Sequence, residues 1–285
     1  MPDRKIPNQF LKKIHIGWTI LTSCNSTAYA VILIKIFHYL LLPLDYFFYF
    51  IECFFIKKID LSRRTGPIFI TGLHRSGSTY ISQVLADYLP CTALGNFEIF
   101  FPRSRYIAQK IKKFFYQRSS VAKHHNFYGY TPGICSIGEA HEFWDQWFGN
   151  EHWHIPDHLQ RKTVTAIARR FALMSVISGR PVLAKMLRGS VYLNVINQIF
   201  PTAFFIVVKR QPEYVVQSVL KANRDFFGAS DKPWGLMLKK DIAKKADMSE
   251  TEYMCARHAE LEREFKQQLA KLPSGRYITV RYEDF

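Results

Sequence analysis

Apolar residues fall into two regimes along the chain. In the first, Ile16 to Ile34 carries no charge, although Thr, Ser and Asn interrupt it, and "IFHYLLLPLDYFFYFIECFFI" then runs from Ile36 to Ile56 with Pro43, Asp45 and Glu52 inside it. Lys12, Lys13, Lys35, Lys57, Lys58, Arg63 and Arg64 punctuate and flank these stretches. A spanning helix needs about 20 mostly apolar residues. The first stretch is long enough but only moderately apolar, and the second is broken by a proline and two acids. The pattern predicts helices lying on or in a membrane surface, with the basic residues among headgroups. A true span and a buried helical hairpin packed on the domain are the alternatives. A secretory signal fits poorly, because no small-residue cleavage site follows a short apolar core.

From Gly66 the regime changes to short apolar runs alternating with helical periods. "PIFIT" (67–71), "PVLAK" (181–185), "AFFIVV" (203–208) and "YITV" (277–280) predict buried strands. Helices are expected over 78–89, where Ile81, Leu85 and Leu89 recur every four residues, and over 191–199, 213–222 and 251–272. Such alternation predicts a parallel sheet covered on both faces. The expected organisation is a membrane-associated or domain-packing apolar segment over 1–64, followed by one α/β domain over 65–285. The last residue, Phe285, directly follows a strand, which leaves room for a missing C-terminal piece.

The loop after the first strand carries the first chemistry. "GLHRSGSTY" (72–80) joins a strand to a helix through two glycines separated by four residues. Unsatisfied N–H groups at a helix start, together with the helix dipole, make an anion site. Gly72 and Gly77 let the backbone curl around an anion, and Ser78 and Thr79 add hydroxyl donors. A nucleotide-triphosphate loop would carry lysine where Ser78 stands. The loop's cation is instead Arg75.

A second cluster follows the strand at 203–208. In "KRQPEYVVQS", Arg210 stands at a strand end, where open α/β sheets bind ligands. Pro212 suits the first turn of a helix, and Ser218, eight residues after Arg210, falls about two turns into it. Arginine and serine can then approach one phosphate from two sides.

Composition narrows the ligand. Lys and Arg number 39 against 23 acids, a formal charge of +16, which suits a polyanionic partner. The five cysteines are dispersed with no CxxC pair, which argues against a disulfide framework and a cysteine zinc site and for a reducing compartment. His141, Glu142, His152 and His154 match no standard zinc spacing.

Together the two clusters resemble the sulfotransferases that use 3′-phosphoadenosine 5′-phosphosulfate, in particular the bacterial-type and tyrosylprotein enzymes. "GLHRSGSTY" is similar to their 5′-phosphosulfate loop and "KRQPEYVVQS" to their 3′-phosphate site. The segment 181–210 resembles the region before that site, and "VRYEDF" (280–285) their terminal strand. The resemblance covers 66–285, weakly between Phe101 and Gly179. It implies a P-loop-like three-layer α/β domain with a central parallel sheet, preceded by N-terminal apolar helices. It also implies sulfuryl transfer to a hydroxyl or amine by in-line displacement, with no metal.

The resemblance also implies roles. Arg75 would reach the bridging oxygen and the sulfuryl group. The N–H groups of Ser76, Gly77, Ser78 and Thr79 would hold the 5′-phosphate, and Arg210 and Ser218 the 3′-phosphate. Lys185 would be a second catalytic cation, and Tyr282 would contact the nucleotide. Glu98, twenty-three residues after Arg75, is the nearest match to a catalytic base. Glu139, His141 and Glu142 of "GEAHEFWDQWF" are its rivals, in a zone whose aromatics could wall an acceptor pocket or pack a helix. The acceptor could be a glycan, a lipid-linked molecule, a peptide or a small alcohol. The expected partners are that acceptor and a membrane surface, with no nucleic acid. The expected location is membrane-associated, with a cytoplasmic protein as the alternative. Two other functions fit less well: a degenerate P-loop NTPase or kinase, and a non-catalytic basic protein binding anionic lipid or sulfated glycan. The NTPase would need a loop lysine and an acidic strand end, whereas the strands end in Lys185 and Lys209-Arg210.

Overall fold

A computed structural model describes residues 18, 22, 26–56, 60, 64–115, 126, 129–131, 133–149, 154–227, 235, 236 and 248–285. Most of the first apolar stretch before Ser26, together with His152 and Trp153, lies outside the described residues.

The sheet follows from the alternation in its strands. β1 (Ile68–Gly72), β2 (Thr92–Leu94), β3 (Val182–Lys185), β4 (Phe204–Lys209) and β5 (Tyr277–Arg281) form one parallel sheet in the order β2-β3-β1-β4-β5. Phe69, Phe205 and Val207 enter a large core on one face with Phe143, Trp144, Phe171, Leu261 and Phe265. Their neighbours Ile70, Ile206 and Val208 enter a second core on the other face with Ile81 and Leu183. Successive side chains of a strand point to opposite faces, so unbroken apolar runs require both faces to be covered.

α2 (Ser78–Tyr88) follows β1, and Ile81 and Leu85 anchor it to the second core. α3 (Phe97–Phe100) and α4 (Arg105–Phe115) follow β2. The first core is lined by α5 (His141–Phe148), α6 (Arg161–Ser178), α7 (Leu193–Ile199) and α9 (Glu250–Ala270). α8 (Pro212–Phe227) follows β4 and packs on α9 through Val215, Val219, Tyr253 and Met254. The chain turns from one side of β1 to the other between β3 and β4, which puts a crevice at the C-terminal ends of these three strands. Expected helices over 191–199, 213–222 and 251–272 correspond to α7, α8 and α9. The three-residue β2, α4 and the 18-residue α6 were not expected.

The N-terminal region differs from expectation. Ser26–Phe55 is a single helix of 30 residues, α1, and Pro43 lies inside it without ending it. Proline removes one donor and strands the carbonyl four residues earlier. Pro43 and Tyr39 both lie on the exposed side, where water can reach that carbonyl.

One face of α1 packs on the domain. Ile34, His38, Leu41, Asp45, Phe48 and Glu52 recur at alternating spacings of four and three, and all are buried or half-buried. His38 Nδ1 pairs with the Ile99 carbonyl at 2.6 Å. Asp45 accepts from the Arg103 and Ser104 N–H groups and from the Ser104 hydroxyl. Glu52 accepts from the Ile107 N–H at 2.7 Å. Asp45 and Glu52, which looked like interruptions of a membrane segment, are therefore its anchors to protein. Among the described residues, Ile32–Phe54 is the one stretch long and apolar enough to cross a membrane by length and composition. Its two carboxylates, Asp45 and Glu52, nonetheless each accept a hydrogen bond from the domain.

Candidate functional site

The loop between β1 and α2 is shaped by close contacts and positive φ angles. A Cβ on Gly72 would meet the Val208 carbonyl oxygen at 2.4 Å, so glycine lets β1 end against β4. Gly77, with φ 85°, sits under the Tyr282 ring, where a Cβ would come within 2.1 Å of the ring. Arg75 itself has φ 63°, uncommon for a side chain with a Cβ. Such backbone is held only where its surroundings over-determine it, and it clusters at ligand clamps. Ser190 supplies part of that constraint: its hydroxyl lies 2.6 Å from the Gly72 carbonyl oxygen and 3.0 Å from Thr71 Oγ1.

α2 begins without a capping side chain and without an acid in its first turn. Its first N–H groups therefore lack the carboxylate that often satisfies them. The Ser76 hydroxyl is buried and has no partner among the described residues. Buried polar groups are nearly always hydrogen-bonded, so a lone hydroxyl in a glycine loop at a helix start fits an anion acceptor.

Three strand ends bring cations to this loop. Lys185, the last residue of β3, is 1% exposed, and its ammonium donates to Thr79 Oγ1 at 3.0 Å and to Glu139 Oε1 at 3.0 Å. After β4, Arg210 donates to the Arg75 carbonyl oxygen at 3.2 Å, and its buried Nε has no partner among the described residues. Its guanidinium lies 4.9 Å from the centroid of the Tyr282 ring. Arg75 Nε donates to the Ser218 hydroxyl on α8 at 2.7 Å. Contacts thus join Arg75, Arg210, Ser218 and Tyr282 to one another, and Lys185 to Thr79 at the start of α2.

His74 is buried beneath the same loop, and burial together with Arg257, His258 and Arg75 pushes its pKa down to about 3. It is therefore neutral at ordinary pH, and the positive charge facing the crevice comes from Arg75, Lys185 and Arg210.

Glu98 is placed elsewhere. It lies on α3, is fully buried, and accepts from the Gly95 N–H at 2.8 Å, Gln109 Nε2 at 2.9 Å and Lys112 Nζ at 2.9 Å. Those contacts join α3 to α4, and none of them reaches Lys185 or the loop.

The carboxylate beside Lys185 is Glu139. It precedes Ala140, whose φ of 47° turns the chain sharply into α5. His141 Nε2 lies 3.8 Å from Glu139 Oε2. Glu142, in the first turn of α5, pairs with Lys35 of α1. A Cβ on Gly129 would lie 3.6 Å from Thr79 Oγ1 and 3.9 Å from Lys185 Nζ, so that backbone closes the wall above the pair. Of the aromatic zone, Phe143, Trp144 and Phe148 are core residues. Ser190 and Lys35 carried no sequence signal, because each acts through a residue more than 100 positions away.

Among the described residues, no group of three or more His, Cys, Asp or Glu is placed to hold a metal ion. The four described cysteines are free.

Comparison with known proteins yields one family. A model described as "Sulfotransferase family" matches residues 67–285. No curated protein matches the chain. Among solved structures, sulfotransferase STF1 from Mycobacterium tuberculosis H37Rv is similar at 17% identity and a TM-score of 0.47, over 78% of this chain and 63% of that one. Sulfotransferase STF9 from Mycobacterium avium is similar at 15% identity and a TM-score of 0.49, over 80% of this chain and 61% of that one. The chain thus spans less than two thirds of either solved protein. The expected membrane-associated location is corrected on α1: Asp45 and Glu52, read as acids within a membrane-lying segment, are buried and accept hydrogen bonds from Ser104 and Ile107 of the domain, so this face of the helix meets protein.

Proposed function

The chain belongs to the sulfotransferase family, and we propose that it moves the sulfuryl group of 3′-phosphoadenosine 5′-phosphosulfate to an acceptor hydroxyl or amine by in-line displacement, in a P-loop-like three-layer domain. The observation that carries this reading is Lys185, a buried ammonium bridging Thr79 of the loop and the carboxylate of Glu139. A cation fixed between an anion cradle and a carboxylate base suits a reaction in which one side gains negative charge and the other loses a proton.

The residues fit the donor. The N–H groups of Ser76, Gly77, Ser78 and Thr79, with the unpartnered Ser76 hydroxyl, hold the 5′-phosphate. Arg210 and Ser218 hold the 3′-phosphate, and the Tyr282 ring, lying against Gly77 and Arg210, flanks the nucleotide. Arg75 is hydrogen-bonded to Ser218, so the two phosphate subsites adjoin. Arg75 and Lys185 stabilise charge developing on the leaving phosphate, a role that requires no metal. Preorganised donors of this kind contribute most where water is excluded, and Lys185 is almost fully buried.

Glu139, and not Glu98, takes the acceptor proton in this reading. Glu139 is part-exposed and touches Lys185, whereas Glu98 is committed to Gly95, Gln109 and Lys112.

Calorimetry with 3′-phosphoadenosine 5′-phosphate tests the donor assignment. The protein should bind it equally well with and without EDTA, and Arg210→Ala should weaken binding at least about tenfold, as expected for a charged hydrogen bond. Glu139→Gln should keep that affinity and slow sulfuryl transfer to p-nitrophenol by about 10²–10⁴. Absent or metal-dependent binding of the dinucleotide by the wild-type protein would refute the reading.

A further inference from the structure

Lys35 belongs to α1, which precedes the matched region starting at residue 67. Its ammonium reaches Glu142, 107 positions later in the chain and only three residues from Glu139. The two carboxylates flank Ala140, whose left-handed backbone sends them in different directions, Glu139 to Lys185 and Glu142 to Lys35.

We propose that Lys35 is a positioning residue for sulfuryl transfer: by holding Glu142 it fixes the Glu139–His141 turn so that Glu139 stays aimed at Lys185. This rests on the reading of Glu139 as the base.

Three observations support it. Lys35 lies at the N-terminal end of the docking face of α1, whose register is set by His38, Asp45 and Glu52, so its reach toward α5 is imposed by three independent anchors. Glu142 is only 14% exposed at its side chain, and an ionised carboxylate there needs a counter-charge. Burial pushes the Glu142 pKa up, but the Lys35 charge and hydrogen bond outweigh it and bring it down to about 2. The Lys35 side chain is 43% exposed; its partial burial opposes the cation, yet Glu142 raises its pKa.

The groups facing this pair are Tyr130, Tyr39, His141 and Glu139. Without Lys35, the buried Glu142 carboxylate would lose its lysine partner and turn toward water. That movement would carry the turn with it and draw Glu139, three residues earlier, off Lys185.

The test compares wild type, Lys35→Met, Lys35→Arg, Glu142→Gln and Lys35→Met/Glu142→Gln. Two readouts are used: calorimetry with 3′-phosphoadenosine 5′-phosphate, and release of labelled sulfuryl from the donor to p-nitrophenol and to water. Lys35→Met should lower kcat 10- to 100-fold while dinucleotide affinity and donor KM stay within about twofold, the size expected of a misplaced reacting group. Lys35→Arg should recover most of the rate. The double variant should be faster than Lys35→Met, because the orphaned carboxylate is gone.

A double variant no faster per folded molecule than Lys35→Met overturns the proposal. Wild-type kcat in Lys35→Met overturns it too. If Lys35→Met turns over normally while Glu139→Gln is inactive, this proposal falls and the base assignment stands. A wild-type protein that binds no dinucleotide removes the donor reading itself.

Discussion

Replacing Asp45 by alanine should cost this protein about a third of an ordinary domain's stability, although the residue is far from the crevice. Asp45 is fully buried on α1, and its carboxylate stands where α4 begins. It accepts from the Ser104 N–H at 3.0 Å, from the Ser104 hydroxyl at 2.7 Å and from the Arg103 N–H at 3.2 Å. Asp45 therefore caps α4 from another helix. In Asp45→Ala, two backbone donors and one hydroxyl lose a charged acceptor in a buried place. Each orphaned group costs about 1–3 kcal/mol, partly relieved by relaxation and water entry, so the sum is about 3–5 kcal/mol. Removing one partner of a buried charged contact falls in the same range.

Domains are typically stable by 5–15 kcal/mol, so the loss would be large but survivable. Asp45→Asn keeps the shape and one acceptor oxygen and should cost roughly 1–3 kcal/mol. Urea unfolding followed by far-UV circular dichroism, with both variants beside wild type, measures this directly. The reasoning is refuted if Asp45→Ala lies within about 0.5 kcal/mol of wild type, the range of an ordinary surface change. It is equally refuted if asparagine is no milder than alanine.

Two further predictions follow from the same interface and its neighbour. Burial raises the Glu52 pKa from 4.5 to about 7, against the opposing effects of the Ile107 N–H and Arg170. Between those values the native state binds the extra proton, so stability is highest below about pH 4.5 and falls until about pH 7. The whole effect is at most about 3 kcal/mol, at about 1.4 kcal/mol per unit, and Glu52→Gln should flatten the slope in pH-dependent unfolding. Glu98→Gln should lower stability by about 3 kcal/mol, because Lys112 loses its buried partner. Its turnover per folded molecule should match wild type, and a hundredfold loss of turnover at full folding would restore Glu98 as the base.

Much of this molecule is readable locally. A glycine that must pass under a carbonyl, an arginine at a strand end and a serine two helical turns later are relations between near neighbours. The apolar runs of β1, β3 and β4 likewise announce strands buried on both faces, because alternate residues of each had to be apolar. The run 277–280 predicts the same burial, but β5 is an edge strand of the sheet and four of its five residues are exposed. Pro43 was misread for the same reason. Its local effect is to break a helix, but the contacts that keep α1 whole come from Ile99, Arg103, Ser104 and Ile107.

Carboxylates are the clearest division between the two kinds of information. Spacing from the loop singled out Glu98, while Glu139 and Glu142 were no more than rivals. Nothing within a few residues of any of them states which cation it will meet. Glu98 met Lys112 on the next helix, Glu139 met Lys185 at the end of β3, and Glu142 met Lys35 from outside the matched region. Asp45 and Glu52 went the same way: acids inside an apolar run read as breaks in a membrane segment until the domain supplied their donors. The element types, the glycine-bracketed loop and the family were written in local pattern, because backbone conformation and helical period depend on adjacent residues. The cation that each carboxylate meets and the docking of α1 came only with the tertiary fold. A charge's energy is set by what stands within a few ångströms of it, and those neighbours are brought from far along the chain.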